Sequence, residues 1–415
     1  MSRLVALVVF TFALAPAARA DWPEFRGPTA QGHASGTGLP TEWAEDKNVA
    51  WKVPIPGKGW SSPVVVAGKI FLTTAVPQGP EKNADQSLRT LCLDSKTGAV
   101  VWDKEVFSQD GKTAPGIHAK NSHASPTPFI DGDHVYVHFG HQGTACLIAK
   151  TGEVVWTNRE LKYAPVHGNG GSPVVWNGKL YFCIDGPGRR ELVALDKVTG
   201  KVVWVAKRSQ PAKKAFSFGT PLVVTFDKTT MIVAPGSDVV NGFDAETGAE
   251  IWAITYDGYS LVPRPVFGHG MLFMSTGFDT AWLLAIKLVP DGGKVTATVA
   301  WRTKQDAPHD PSPLLVSDEL YTVSDSGIVT CFDAKSGKVH FRERVPGAYT
   351  SAPVFANGHI YLQNETGTAS VIKAGKTFEL VATNKLDGRV QASYAADGNA
   401  WLIRTDKFLY KIAAK

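Results

Sequence analysis

Leu93-Asp94-Ser95-Lys96-Thr97-Gly98-Ala99-Val100-Val101-Trp102 reads as a tight turn followed by a strand, and the chain repeats it. The Asp side chain can accept backbone N–H groups of the turn, and the Gly takes its left-handed position. Val-Val-Trp then has strand composition. The element returns at Ile148–Trp156, without the Asp, at Leu195–Trp204 and at Phe243–Trp252. A weaker copy spans Phe332–Phe341, a stretched one ends at Trp301, and a degenerate one surrounds Gly375. A second element is interleaved with it: Ser62-Pro63-Val64-Val65-Val66-Ala67-Gly68-Lys69-Ile70-Phe71-Leu72. It recurs at Pro126, Pro173, Pro221, Pro265, Pro313 and Pro353, and without Pro near Ser393. Ala67-Gly68, Asn177-Gly178 and Asn357-Gly358 supply the positive φ that a two-residue hairpin needs.

Eight copies over residues 48–415 leave about 46 residues each, the spacing of propeller blades. Each copy holds four short runs of β-branched and aromatic residues. The fold class is therefore all-β: an eight-bladed β-propeller of four-stranded antiparallel blades. A Trp that recurs once per blade is a packing residue, its flat ring covering the neighbouring blade. The last copy ends at Phe408–Ile412 with three strands, whereas Asn48–Val53 reads as a fourth strand with no blade before it. Residues 48–55 are expected to complete the last blade, so that the N-terminal strand closes the ring and removes its open edge. The preceding arm, 21–47, should pack across the ring through Trp22, Phe25 and Trp43.

Residues 1–20 read as a secretory signal: Arg3, an apolar run Leu4–Leu14, and Ala18-Arg19-Ala20 as the cleavage site. The expected location is periplasmic or secreted, after removal of the segment at Ala20. The apolar run is too short to span a bilayer, and no lipidatable Cys follows the cleavage site, so no membrane anchor is expected. The whole chain carries a formal charge of +5, and two of its cations, Arg3 and Arg19, lie in the signal. The remainder is too weak to make nucleic acid a partner. The four cysteines, Cys92, Cys146, Cys183 and Cys331, form no CxxC. Three of them stand six residues before a repeat Gly, where other copies have Ala194 and Gly242, so they read as buried small residues rather than disulfides or metal ligands. A monomer is expected.

The Asp-x-x-Thr-Gly-x-x-x-Trp element, good at Asp94–Trp102, Asp196–Trp204 and Asp244–Trp252, resembles the tryptophan-docking repeat of pyrroloquinoline-quinone (PQQ) propellers. Trp22-Pro23-x-Phe25-Arg26-Gly27-Pro28 and Gly59-Trp60-Ser61-Ser62-Pro63 are similar to secreted PQQ-like repeat proteins of planctomycete-type bacteria. The resemblance implies two kinds of relative. One is the quinoprotein alcohol dehydrogenases, with PQQ and calcium in the channel. The other is the non-enzymatic propeller lipoprotein of the outer-membrane barrel-assembly machinery. The chain lacks the adjacent Cys pair of the dehydrogenases, and their calcium-ligating Glu, Asn and Asp map to no position here. It also lacks the lipidated Cys of the assembly factor.

In a propeller of this strand order, the segments leading into the inner strands converge on one mouth of the channel, with the loops between second and third strands. That rule gathers Trp60, His118, Asn121, His123, His141, His167, Asn169, Arg264, His309, Asp310, Tyr349 and Gln391 as candidate ligand-binding residues. Pockets with converging polar groups are the default site. No metal site is assigned, since His118-x4-His123 on a loop is not a diagnostic spacing. His134 and His138 alternate with Val on a strand and read as structural. There is no GxSxG, HExxH or P-loop. The expected function is an exported scaffold that binds a small polar ligand or a protein segment at the channel mouth, with no cofactor assured. The alternative is a PQQ- and calcium-dependent oxidoreductase acting on an alcohol or sugar, with Asp310 as the catalytic candidate that takes the hydroxyl proton.

Overall fold

The Asp-x-x-Thr-Gly turn closes as its chemistry requires. Asp94 Oδ1 accepts the backbone N–H groups of Lys96 and Thr97, each at 3.0 Å, and Asp244 Oδ1 those of Glu246 (3.0 Å) and Thr247 (2.8 Å). Gly98, Gly152, Gly200, Gly248 and Gly337 then sit at φ between +71° and +74°. A Cβ on four of these glycines would lie 2.7–3.0 Å from the indole or neighbouring side chain of the preceding blade, and on Gly200 closer still. The glycines are needed twice over, for φ and for the approach of the Trp. Each indole also donates to a carbonyl of the turn it covers: Trp51 to Ser95 (3.1 Å), Trp102 to Ala149 (2.9 Å), Trp156 to Lys197 (3.0 Å), Trp204 to Glu246 (3.0 Å) and Trp301 to Ala334 (2.9 Å). The repeat Trp is thus a staple between blades. Trp252 departs from the rule. Blade 5 joins its last two strands through the Asp291–Lys294 hairpin instead of the repeat turn, and Trp252 turns to Met231 Sδ in its own blade at 3.3 Å.

The computed structural model describes residues 21–414. They form eight four-stranded antiparallel blades. Blade 1 comprises Val64–Val66, Lys69–Pro77, Gln86–Asp94 and Val100–Gln109. Blades 2 to 7 cover 129–158, 174–207, 222–255, 266–303, 314–344 and 354–385. Blade 8 takes Ala395–Asp397, Ala400–Arg404 and Phe408–Ala413 from the C-terminal end and Val49–Pro54 from the N-terminal side, with Trp51 opposite Lys411. The ring is closed by the N-terminal strand. The signal-like segment 1–20 lies outside the described residues.

Cross-strand register explains the small-residue position. Cys92 faces Trp102, Cys146 faces Trp156, Ala194 faces Trp204 and Gly242 faces Trp252. A large side chain there would compete with the indole for one space. All four cysteines are free thiols. One position departs from the sequence reading. The blade 2 inner strand starts at Phe129, so the proline equivalent to Pro63 is Pro128, two residues after Pro126. The extra Ser-Pro belongs to the loop before it.

Candidate functional site

At the entrance of each inner strand, one residue sits two places before the first strand residue: Ser62, Thr127, Ser172, Thr220, Arg264, Ser312, Ala352 and Ser393. In six of the eight its backbone N–H binds the hydroxyl of the equivalent residue in the next blade. The bonds are Ser62 to Thr127 (2.9 Å), Thr127 to Ser172 (2.9 Å), Ser172 to Thr220 (3.0 Å), Arg264 to Ser312 (2.9 Å), Ala352 to Ser393 (2.9 Å) and Ser393 to Ser62 (3.1 Å). All six hydroxyl residues are buried and line one cavity at the channel mouth. Each hydroxyl is spent as an acceptor. Among the described residues none donates its own proton, so the wall keeps O–H donors in reserve.

The arm supplies the floor. Trp22 pairs with Val65 (2.7 and 2.9 Å), and Pro23 accepts the N–H of Ile130 (2.8 Å). Glu24 forms a 2.8 Å ion pair with Arg264, which also donates to the carbonyls of Phe25 (2.6 Å) and Pro221 (3.1 Å). Phe25 lines the cavity. Arg26 is wholly buried, with Nη2 on the Pro313 carbonyl at 2.8 Å, and burial together with Arg264 pushes its pKa down to about 9. Burial raises the Glu24 carboxyl although Arg264 opposes it. His33–Ala34 then joins the inner edge of blade 7 as a parallel strand beside Val354–Ala356.

The cavity above Phe25 has a volume of about 670 Å³, within the usual size of a ligand site. Its two halves differ. From blade 2 to blade 6 the wall is an arc of rings in edge-to-face contact. Centroid separations are His118–His167 5.7 Å, His167–Phe216 5.5 Å, Phe216–Tyr259 5.6 Å, Tyr259–Phe278 5.8 Å and Phe278–His309 5.5 Å. Lys214 lies 3.9 Å from the Tyr259 ring centroid, a cation over its face. The other half is polar: Trp60, Gln391, Lys120 and Asp310 line it.

The segment between blades 1 and 2 crosses the mouth. His118 N–H and Asn121 Nδ2 both donate to the His167 carbonyl, at 3.1 and 3.0 Å. Lys120 Nζ then reaches Glu365 (2.9 Å) and Asp310 (3.3 Å). Asp325 accepts the N–H groups of His309 (2.7 Å) and Asp310 (3.2 Å). Burial and the Asp325 charge raise the Asp310 carboxyl, with Lys120 opposing. Burial disfavours the Glu365 carboxylate, but the Thr350 hydroxyl, Lys120 and Arg389 outweigh it and hold its pKa below the ordinary value. Two buried groups of the wall have no hydrogen-bond partner among the described residues: Trp60 Nε1 and the whole amide of Gln391. Left without a partner, each costs about 1–3 kcal/mol.

Of the residues gathered from the sequence, Trp60, His118, Asn121, His167, His309, Asp310 and Gln391 meet in this cavity. Five lie outside its lining. His123 turns to Gln109 (3.1 Å), with its pKa lowered by burial and by Lys58. His141 pairs with Asn169 (3.2 Å), which accepts the Tyr163 hydroxyl (2.8 Å). Arg264 is spent on the arm, and Tyr349 is buried behind the wall. The sequence reading missed Phe216, Phe218, Tyr259 and Phe278, because it weighed the converging segments chiefly by their polar residues and took few rings. The same topological rule finds them, since Phe216-x-Phe218 leads into the blade 4 inner strand. Among the described residues, no three His, Cys, Asp or Glu side chains are grouped to hold a metal ion, and no helix is long and apolar enough to cross a membrane.

No curated protein matches the chain in sequence. Solved structures share its fold at low identity. BamB from Moraxella catarrhalis superposes with a TM-score of 0.61 at 12% identity, covering 88% of this chain and 97% of that one. A europium-containing methanol dehydrogenase gives 0.62 at 12%, covering 94% and 90%. The quinohemoprotein alcohol dehydrogenase of Comamonas testosteroni gives 0.51 at 12%, covering 95% and 81%. At these identities the likeness is one of fold. The family model described as outer membrane protein assembly factor BamB matches residues 33–182, 89–276 and 284–406, so that nearly the whole described ring is accounted for by it. The chain belongs to this family of PQQ-repeat propellers.

Proposed function

We propose that the protein is an exported binding module that takes an oxygen-rich ligand, a small molecule or the end of a protein segment, into the channel mouth. One observation carries the reading. The mouth is a walled cavity, floored by the chain's own arm, whose lining holds spare donors: six hydroxyls, the Trp60 N–H and the Gln391 amide. A donor-rich wall beside an arc of rings suits a ligand with acceptor oxygens and an apolar body. The family and the fold agree with a binding role, and residues 1–20 supply the export signal.

Calcium with a quinone fits the residues poorly. Calcium takes six to eight oxygens. The ammonium of Lys120 already lies between the carboxylates of Asp310 and Glu365 and pairs with both. The cysteines stand in different blades, so no adjacent pair lies over the channel. Asp310 is accordingly read as the partner of Lys120 and not as a catalytic base.

The test is titration with the neutral fluorescent reporter N-phenylnaphthylamine. Saturable one-site binding is expected, and Phe216→Ala and Tyr259→Ala should each weaken it about tenfold, the worth of one aromatic wall contact. Non-saturable emission, or affinity untouched by both substitutions, overturns the reading. A parallel titration with PQQ should give the same tryptophan quenching with and without calcium, and a calcium requirement would favour the dehydrogenase reading instead.

A further inference from the structure

We infer that the seam of blades 8 and 1 is a carboxylate-binding subsite of the mouth cavity, formed by Trp60 and Gln391 with Lys58 and Arg389. The inference rests on the proposed binding role and names the chemistry of the ligand's polar end.

Four groups converge at this seam. Trp60 and Gln391 line the cavity, both more than nine-tenths buried, and neither the indole N–H nor the amide has a partner. Terminal amide torsions are broad, so Gln391 can present its NH₂ without strain. Two cations flank them: Lys58 Nζ and the Arg389 guanidinium each lie 5.8 Å from the Trp60 ring centroid. A third, Arg404, is buried beneath Gly59, with Nη1 bound to the hydroxyl and carbonyl of Ser61 and to the Thr73 carbonyl.

Two carboxylates, Glu365 and Asp406, stand at the seam against the three cations Lys58, Arg389 and Arg404. Glu365 stands 3.7 Å from Arg389 but is held at 2.9 Å by Lys120. Asp406 accepts the backbone N–H of Arg389 at 2.9 Å. The seam therefore has donors and positive charge in excess, which favours an anion over a neutral acceptor. A planar oxyanion with two acceptors suits the Arg389 fork and the two N–H donors. The arc of rings lies across the same ring of blades, so the group bearing the carboxylate has an apolar body. Such a ligand is either a free aryl-alkanoic acid or the C-terminal end of a peptide with an aromatic last residue.

The experiment is calorimetric titration of the purified protein with hydrocinnamate and with its neutral isostere hydrocinnamide. A second arm uses an Ala-Ala-Phe tripeptide with a free or an amidated C-terminus. The acid is expected to bind at least about tenfold tighter than the amide in one arm or both, the arm identifying the source. Arg389→Gln should abolish that preference, and Gln391→Leu should reduce it. Affinity of the acid should fall as salt rises. Equal affinity of acid and amide in both arms, or a preference that survives Arg389→Gln, overturns the subsite. If the neutral reporter binds and the acid gains nothing, only the subsite falls. If the reporter does not bind either, the binding role falls with it.

Discussion

Gly337→Ala measures how much the Trp staple contributes. Gly337 sits at φ +72°, and a Cβ there would come within 2.7 Å of Trp301 Cδ2. Trp301 cannot easily yield. Its ring stands between Phe273 and Phe332, both 6.1 Å away by centroid, and its Nε1 is bound to the Ala334 carbonyl. The left-handed conformation costs Ala about 1 kcal/mol relative to Gly. Forcing a methyl into a packed contact costs about 1–3 kcal/mol more. The sum is about 2–4 kcal/mol. Gly178→Ala is the control, because Gly178 has φ +79° with nothing within 4 Å of a Cβ. It should lose only the conformational share, about 1 kcal/mol. In a Trp301→Ala background, Gly337→Ala should also fall back to about 1 kcal/mol, since the ring it meets is gone. Urea unfolding followed by far-UV circular dichroism gives all four values. If Gly337→Ala is no worse than Gly178→Ala, or the cycle shows no coupling, the staple is not what the glycine serves.

Two further outcomes are expected. Glu24→Gln leaves the Arg264 guanidinium buried without its counter-charge, a loss of about 3 kcal/mol. Limited proteolysis should then cut within residues 21–47 sooner than in the parent, and equal cleavage rates would show that the Glu24–Arg264 pair does not hold the arm in place. His138 is buried neutral against Phe182 and Thr144, and burial lowers its pKa to about 3. The unfolded chain therefore binds the extra proton below about pH 6.5, and stability that is complete above that pH is lost as pH falls. From pH 7 to pH 4 the loss is about 3 kcal/mol. His138→Gln should flatten the stability-pH curve in that window, and an unchanged slope would show that His138 is not its source.

Much of the fold was readable because the same contacts recur. The turn Asp, the Gly and the Trp are one device used in successive blades, so their spacing declares the blade, and the unmatched strand at 48–55 declares the closure. The site is a collection of singular contacts. Residues of the converging segments were predictable as a set, but not which of them face inward. His118 and Asn121 line the cavity while His123, two residues on, turns to Gln109. That choice depends on how the segment crosses the mouth, which Lys120 fixes through Asp310 and Glu365 from the far side of the ring. Arg264 was expected at the mouth, yet it is recruited by Glu24, distant in sequence. No local pattern encodes such pairings.

The arm and the hydroxyl ring complement one another. The relay of N–H to hydroxyl bonds has two missing steps, at Arg264, whose side chain cannot accept, and at Ala352, which has no hydroxyl. Each gap has a substitute. Arg264 bonds the Pro221 carbonyl of blade 4 and so joins blades 4 and 5 directly. Between blades 6 and 7 the arm does the joining. Arg26 binds the Pro313 carbonyl, His33 binds the Leu315 carbonyl at 2.6 Å, and the Gly32 carbonyl accepts the N–H of Phe355 at 2.8 Å. If the relay stabilises the ring, restoring a step should add to the arm's contribution. Ala352→Ser offers Ser312 N–H the hydroxyl it lacks and should raise stability by about 1 kcal/mol. Ala352→Cys, the side chain nearest to Ser in shape but a poor acceptor, should gain little. Equal stability of the two variants would mean that the hydroxyls serve the cavity alone, and that packing of the blades holds the ring without them.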